Sequence, residues 1–146
     1  MSAFVHMELA TNDPERAKAF YKGLFGWKLT DMKMPDGNVY TMFDTRAGGP
    51  GGGIMAKADP SQPTAWLAYV GVKSLNKSME KAKILGAMPI IESQTVPNYG
   101  SFGIFADPTG AVIALWEPAP RAAQPAPKKK AAKKTAKKKS AKKKKK

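Results

Sequence analysis

Apolar and polar positions alternate over residues 4–9. Val5, Met7 and Leu9 fall on one face and His6 and Glu8 on the other, the period of a half-buried strand. Asp13 then supplies a helix N-cap and Pro14 a first-turn residue, and Ala17, Phe20, Tyr21 and Leu24 recur at helical spacing until Gly26. Strands are predicted over 27–32, 38–43 and 53–56, the first two joined by a turn at Pro35-Asp36-Gly37. After a linker-like stretch over 58–63 the order restarts. A strand over 65–72 leads to Ser74, which caps a helix carrying Leu75, Met79, Ala82 and Leu85 on one face, and Gly86 ends it. Strands over 88–92, 101–106 and 111–116 follow, the last two joined by Asp107-Pro108-Thr109-Gly110.

The chain therefore writes one unit twice: strand, helix, three strands. The pattern predicts an α+β domain over 1–118 made of two βαβββ modules, 1–57 and 64–118. Their curved, mixed or antiparallel sheets form a cup, with the helices outside. Paired modules place a cleft at their join, which is where a function is sought. The glycine-rich run over 48–53 is read as a connection. It has neither the lysine nor the strand-to-helix setting of a phosphate loop.

Composition changes the picture mainly at the C-terminus. The 25 basic and 11 acidic residues give a net charge of +14, and Arg121 with the lysines from Lys128 onward accounts for all of it. Residues 1–120 are formally neutral. The Pro-Ala-Pro repeats and the Lys, Ala, Thr and Ser that follow predict a disordered basic tail over 119–146. It resembles the Lys-Ala-Pro tails of histone H1 and of bacterial histone-like proteins. That resemblance implies sequence-independent attraction to DNA or RNA through Lys128, Lys129, Lys130, Lys133, Lys134, Lys137, Lys138 and Lys139, by counterion release. The alternative is a solvated extension that meets any anionic surface weakly. Absence of cysteine excludes disulfides, zinc-thiolate sites and thiol nucleophiles. With no signal-like start and no stretch long enough to span a bilayer, the expected setting is the cytoplasm, with nucleoid association through the tail.

The doubled pattern, Phe20-Tyr21-x-x-Leu24-Phe25-Gly26-Trp27 and the ending from Asp107-Pro108-Thr109-Gly110 to Trp116-Glu117-Pro118 together resemble the vicinal oxygen chelate superfamily. This is the glyoxalase, bleomycin-resistance and extradiol-dioxygenase group. The resemblance covers residues 3–118 and implies the fold, a homodimer, and a divalent metal held by the first and last strand of each module. His6 stands at the first such position. Its counterpart in module two, counted from the helix caps, is Leu67; the last strand offers Ala114; the fourth lies within 52–55, where no side chain is a hard-metal ligand. Glu117 lies three residues beyond Ala114, and strand alternation turns it away from the cup. No metal cofactor is expected, since a catalytic ion needs about three protein ligands.

What remains is a pocket. His6 and Glu8 are the candidate catalytic pair, a general base and acid on one face, or else a strand histidine bonded to a neighbour. The same parity puts Leu67, Tyr69, Ala114 and Trp116 in the cup as candidate ligand-binding residues, or as core filling it. Phe20, Tyr21 and Trp27 are read as packing, and Met32 and Met34 as an apolar lip. The leading expectation is a metal-free cup that binds or transforms a small organic molecule and is tethered to polyanions by the tail. The alternatives are a metal-dependent lyase or dioxygenase, and a DNA-associated protein that uses the domain to dimerise.

Overall fold

The protein is described by a computed structural model for residues 2–120. The assignments made above to the lysines of the tail therefore lie outside the described residues. Ten elements run in the order β1 (Phe4–Thr11), α1 (Pro14–Phe25), β2 (Lys28–Lys33), β3 (Val39–Asp44), β4 (Gly52–Ala56), β5 (Ala65–Gly71), α2 (Leu75–Ile84), β6 (Met88–Val96), β7 (Gly100–Ala106) and β8 (Val112–Pro118). The expected strand, helix and three strands occur twice.

Both helices start for local reasons. The Asp13 carboxylate accepts from the Arg16 N–H at 2.9 Å and Pro14 opens the first turn, while the Ser74 hydroxyl accepts from Lys77 N–H. Gly26 closes α1 in the left-handed region at φ 66°, which glycine adopts without penalty.

The strands form one eight-stranded mixed sheet in the order β2-β3-β4-β1-β5-β8-β7-β6. In each module the first strand pairs in parallel with the last, β1 with β4 and β5 with β8, and β1 joins β5 antiparallel at the centre. The central join makes the two modules one sheet.

Strand alternation sends one set of side chains toward the helices. Leu9, Phe43 and Ile54 form one core, packed by Met7, Ala17, Tyr21, Trp27 and Leu29; Leu75, Met79 and Leu115 form the other, with Val70, Val72 and Phe105 against them. Burying a side chain such as Ile54, which has no exposed surface, stabilises the fold by about 1.5–3 kcal/mol. The opposite face of the sheet is the cup.

Helix α1 packs through a narrower stripe than its spacing suggests. Tyr21 and Trp27 pack as expected, but Phe20 and Leu24 are 59% and 58% exposed. Their place on the inner side is taken by Lys18, buried because Glu15 and Asp31 meet its ammonium at 2.6 and 3.2 Å. Leu85 is likewise exposed, because it falls at the end of α2 as its cap. Strand β6 outlasts its predicted end by four residues. It is an edge strand bonded only to β7, so its polar stretch has no core face to betray it.

Candidate ligand-binding cup

The register of the sheet allows the two modules to be superposed residue by residue. Glu8 pairs with Gly53 across β1 and β4, and Tyr69 pairs with Ala114 across β5 and β8. Glu8 and Tyr69 stand 61 residues apart, as do Gly53 and Ala114. At the centre the pairs His6 with Tyr69 and Glu8 with Leu67 exchange under the same offset. His6 thus corresponds to Leu67, Glu8 to Tyr69 and Gly53 to Ala114. The fourth family position, open over 52–55 in the sequence, is Gly53.

Three of these four positions carry no ligand atom. A Cβ built on Gly53 would overlap the hydroxyl of Tyr40, so the space in which a fourth ligand would project is filled by a phenol from β3. No group of three or more His, Asp or Glu able to hold a metal ion occurs among the described residues. The side chains of the cup do not fit the family's divalent ion. Glu117 offers no replacement, since it faces the helices and accepts the Leu75 N–H at 2.6 Å, capping α2.

The cup holds instead a hydrogen-bonded cluster. Glu8 accepts from Tyr40 at 2.9 Å through one oxygen and from Tyr69 at 3.0 Å through the other, and His6 Nε2 lies 2.8 Å from the Tyr40 hydroxyl. A carboxylate that accepts at both oxygens has the pattern of the ionised form, which is acceptor-only. Tyr40 has one proton, and it goes to Glu8. Its oxygen must then accept from His6, which places the histidine proton on Nε2 and leaves Nδ1 a free base among the described residues. The chain runs from imidazole through phenol to carboxylate. A proton taken up at Nδ1 would leave a positive ring linked through Tyr40 to the Glu8 charge, an arrangement suited to general base chemistry.

Burial governs how these groups titrate. Desolvation, then the Glu8 charge, raises both tyrosines far above the ordinary phenol range, so they stay protonated donors. Desolvation lowers His6 below the ordinary 6.5, and Glu8 only partly opposes it. A histidine held neutral in the fold binds fewer protons than its unfolded counterpart, so stability rises with pH through this window and is lost as pH falls below about 6.5. His6→Gln is expected to flatten the denaturation midpoint between about pH 6.5 and 5. An unchanged slope in that window would show that His6 does not cause it.

The expected residues converge in part. His6, Glu8 and Tyr69 meet directly; Leu67 lies opposite Glu8, and Trp116 lies beside Phe102, whose ring stands edge-on to Tyr69 at 6.0 Å. Ala114 is fully covered and forms floor rather than accessible lining. Tyr40 has no place in the sequence reading. Its only signal was a tyrosine on a strand near a glycine lacking the side chain that would exclude it. A separate, almost wholly apolar cleft of about 470 Å³ opens on the helix side between Tyr21, Phe25, Trp27, Phe43 and Trp66. Apart from the Tyr21 phenol its lining carries no ionisable group, and the polar cluster lies in the cup.

The chain belongs to the glyoxalase/bleomycin resistance protein/dioxygenase superfamily, whose family model matches residues 3–115. It is 32% identical over 115 residues to the putative glyoxylase CFP32 of Mycobacterium tuberculosis, covering 78% of this chain and 43% of that protein. The anthracycline biosynthesis protein DauV of Streptomyces sp. strain C5 is 26% identical over 127 residues, covering 75% of this chain and 44% of its own. The chain spans less than half the length of the curated relatives it matches. A crystal structure of methylmalonyl-CoA epimerase from Mycobacterium tuberculosis superposes with a TM-score of 0.65 at 18% identity, over 82% of this chain and 90% of that one. At that identity the likeness is one of fold.

Proposed function

We propose that the cup binds a small organic molecule without the family's metal, with the His6, Tyr40, Glu8 and Tyr69 cluster as its polar end. Leu67, Trp116 and Phe102 form its apolar wall. The observation that carries this reading is the replacement of the metal positions by a satisfied hydrogen-bond cluster in the same cup. A pocket with a few convergent polar groups and an apolar lining suits a small ligand, and the names of the relatives, a putative glyoxylase and an anthracycline biosynthesis protein, favour small organic molecules. His6 and Glu8 act as the base and its charged support if the bound molecule is transformed.

A thermal-shift screen of the full chain against metabolites and natural-product drugs tests this, because selective binding to the folded state raises its melting temperature. Metal analysis of the purified chain and of His6→Ala tests the rest. A stoichiometric divalent ion that is lost on substitution would overturn the metal-free reading.

The lysine tail tethers this domain to polyanions, and the chain works as a homodimer in the cytoplasm, at the nucleoid where the tail engages DNA. The full chain is expected to retard DNA at low salt and to release it as salt rises, since neutralising even about six phosphates makes affinity fall steeply with ionic strength. Retardation is expected to vanish on truncation after Pro120. Equal binding by the truncated chain would refute the assignment to the tail. Sedimentation at graded concentrations checks the dimer.

A further inference from the structure

We infer that the cup selects organic cations: an apolar or aromatic molecule bearing an ammonium or guanidinium group, which Glu8 receives. The inference rests on the reading of the cup as a ligand site and adds the charge of what enters it.

The charge distribution of the sheet is one-sided. Strands β1, β4, β5, β7 and β8 contain no lysine or arginine, and their two carboxylates are Glu8, in the cup, and Glu117, which caps α2 on the other face. Lysines occur in the sheet only on the edge strand β2, where Lys28 lies opposite Asp44 and is exposed. Glu8 therefore holds a partly buried negative charge with two phenol donors and no cation among the described residues. Two hydrogen bonds leave roughly half of a carboxylate's acceptor sites open. A desolvated charge without a counter-charge is costly to a fold, and a ligand that brings the missing positive charge recovers that cost on binding. The surrounding rings suit the same ligand. Tyr40 and Tyr69 point their hydroxyls at Glu8, the Tyr40 ring lies nearly parallel to that of His6 with centroids 6.5 Å apart, and Tyr69 stands edge-on to both His6 and Phe102 at 5.4 and 6.0 Å, so an ammonium received by Glu8 enters a site walled by aromatic rings. An anionic ligand would meet Glu8 with no compensating base, because His6 is neutral.

The test uses three probes of one skeleton: 4-phenylbutylamine, 4-phenylbutanol and 4-phenylbutyrate. Each is titrated calorimetrically into the full chain at an ionic strength of about 0.3 M, which screens the charge of the lysine tail. The amine is expected to bind at least about tenfold more tightly than the butyrate, with the alcohol between. Glu8→Gln is expected to bring the three within about twofold of one another. Leu67→Lys, which sets an ammonium opposite Glu8, is a second variant and is expected to abolish the amine preference. Equal or tighter binding of the butyrate, or an amine preference that survives both substitutions, would overturn the inference. If the alcohol and butyrate bind and the amine gains nothing, charge selection fails while the cup remains a ligand site. If none of the three binds and the metabolite screen is also blank, both readings fail.

Discussion

Glu8→Ala lowers the stability of the domain by about 3 kcal/mol, as each buried hydroxyl left without its acceptor costs about 1–3 kcal/mol. Tyr69 and Tyr40 both donate to this carboxylate, and Tyr69 is only 5% exposed. Tyr40 is more accessible and recruits water, which holds the total below the sum of two full penalties. His6 loses the far end of its chain as well. Glu8→Gln keeps the shape and one acceptor oxygen but presents an amide donor to a phenol, and is expected to cost about 1 kcal/mol. Urea denaturation of the two variants against the parent checks the order. A Glu8→Ala protein as stable as the parent would mean that the buried charge costs the fold as much as its hydrogen bonds return, the balance expected of a site kept for binding.

Gly52→Ala is expected to be at least as damaging, by about 3 kcal/mol, at the upper end of what overpacking costs. A Cβ there would overlap the Met7 carbonyl oxygen and also press on the Phe43 ring. The carbonyl belongs to the β1 and β4 ladder and the ring is buried at 4% exposure, so neither yields without disturbing the first core. The melting temperature should fall by roughly ten degrees for a domain of this size. The neighbouring Gly53→Ala is a contrast within the same strand. The three atoms its new methyl meets first all belong to the Tyr40 phenol, the end of a side chain, which can swing aside. Gly53→Ala should therefore keep more of the stability while freeing Glu8 and His6 from Tyr40. Equal melting temperatures for the two variants would show that Tyr40 is as immovable as the backbone.

The contrast also marks where sequence reasoning reached and where it stopped. Alternation in β1 was enough to put His6 and Glu8 on one face, and counting from the helix caps matched His6 to Leu67, as the register of β1 with β5 requires. The same alternation turned Glu117 away from the cup, where it caps α2. These are properties of a single strand or of a repeat. Tyr40 was not legible, because its contact with Glu8 depends on the registers of β3 on β4 and β4 on β1 together, and period-two alternation fixes neither. Nor could helical spacing show that a lysine, neutralised by Glu15 and Asp31, would occupy the inner side of α1 while Phe20 and Leu24 faced outward. The Tyr40 contact and the Lys18–Asp31 pair join separate elements, for which local pattern carries no information.

The offset that relates the modules has a consequence for shape recognition. The backbone of the cup is near twofold, but its side chains are not: module one supplies His6, Glu8 and Tyr40, while the corresponding positions of module two supply Leu67, Tyr69 and Phe102. A molecule with one polar and one greasy end finds a single orientation, and the wall and floor then touch it from fixed sides. Unlike side chains at matched positions of the two modules remove the twofold degeneracy of the cup, which would hold such a molecule one way round and not in two equivalent ways.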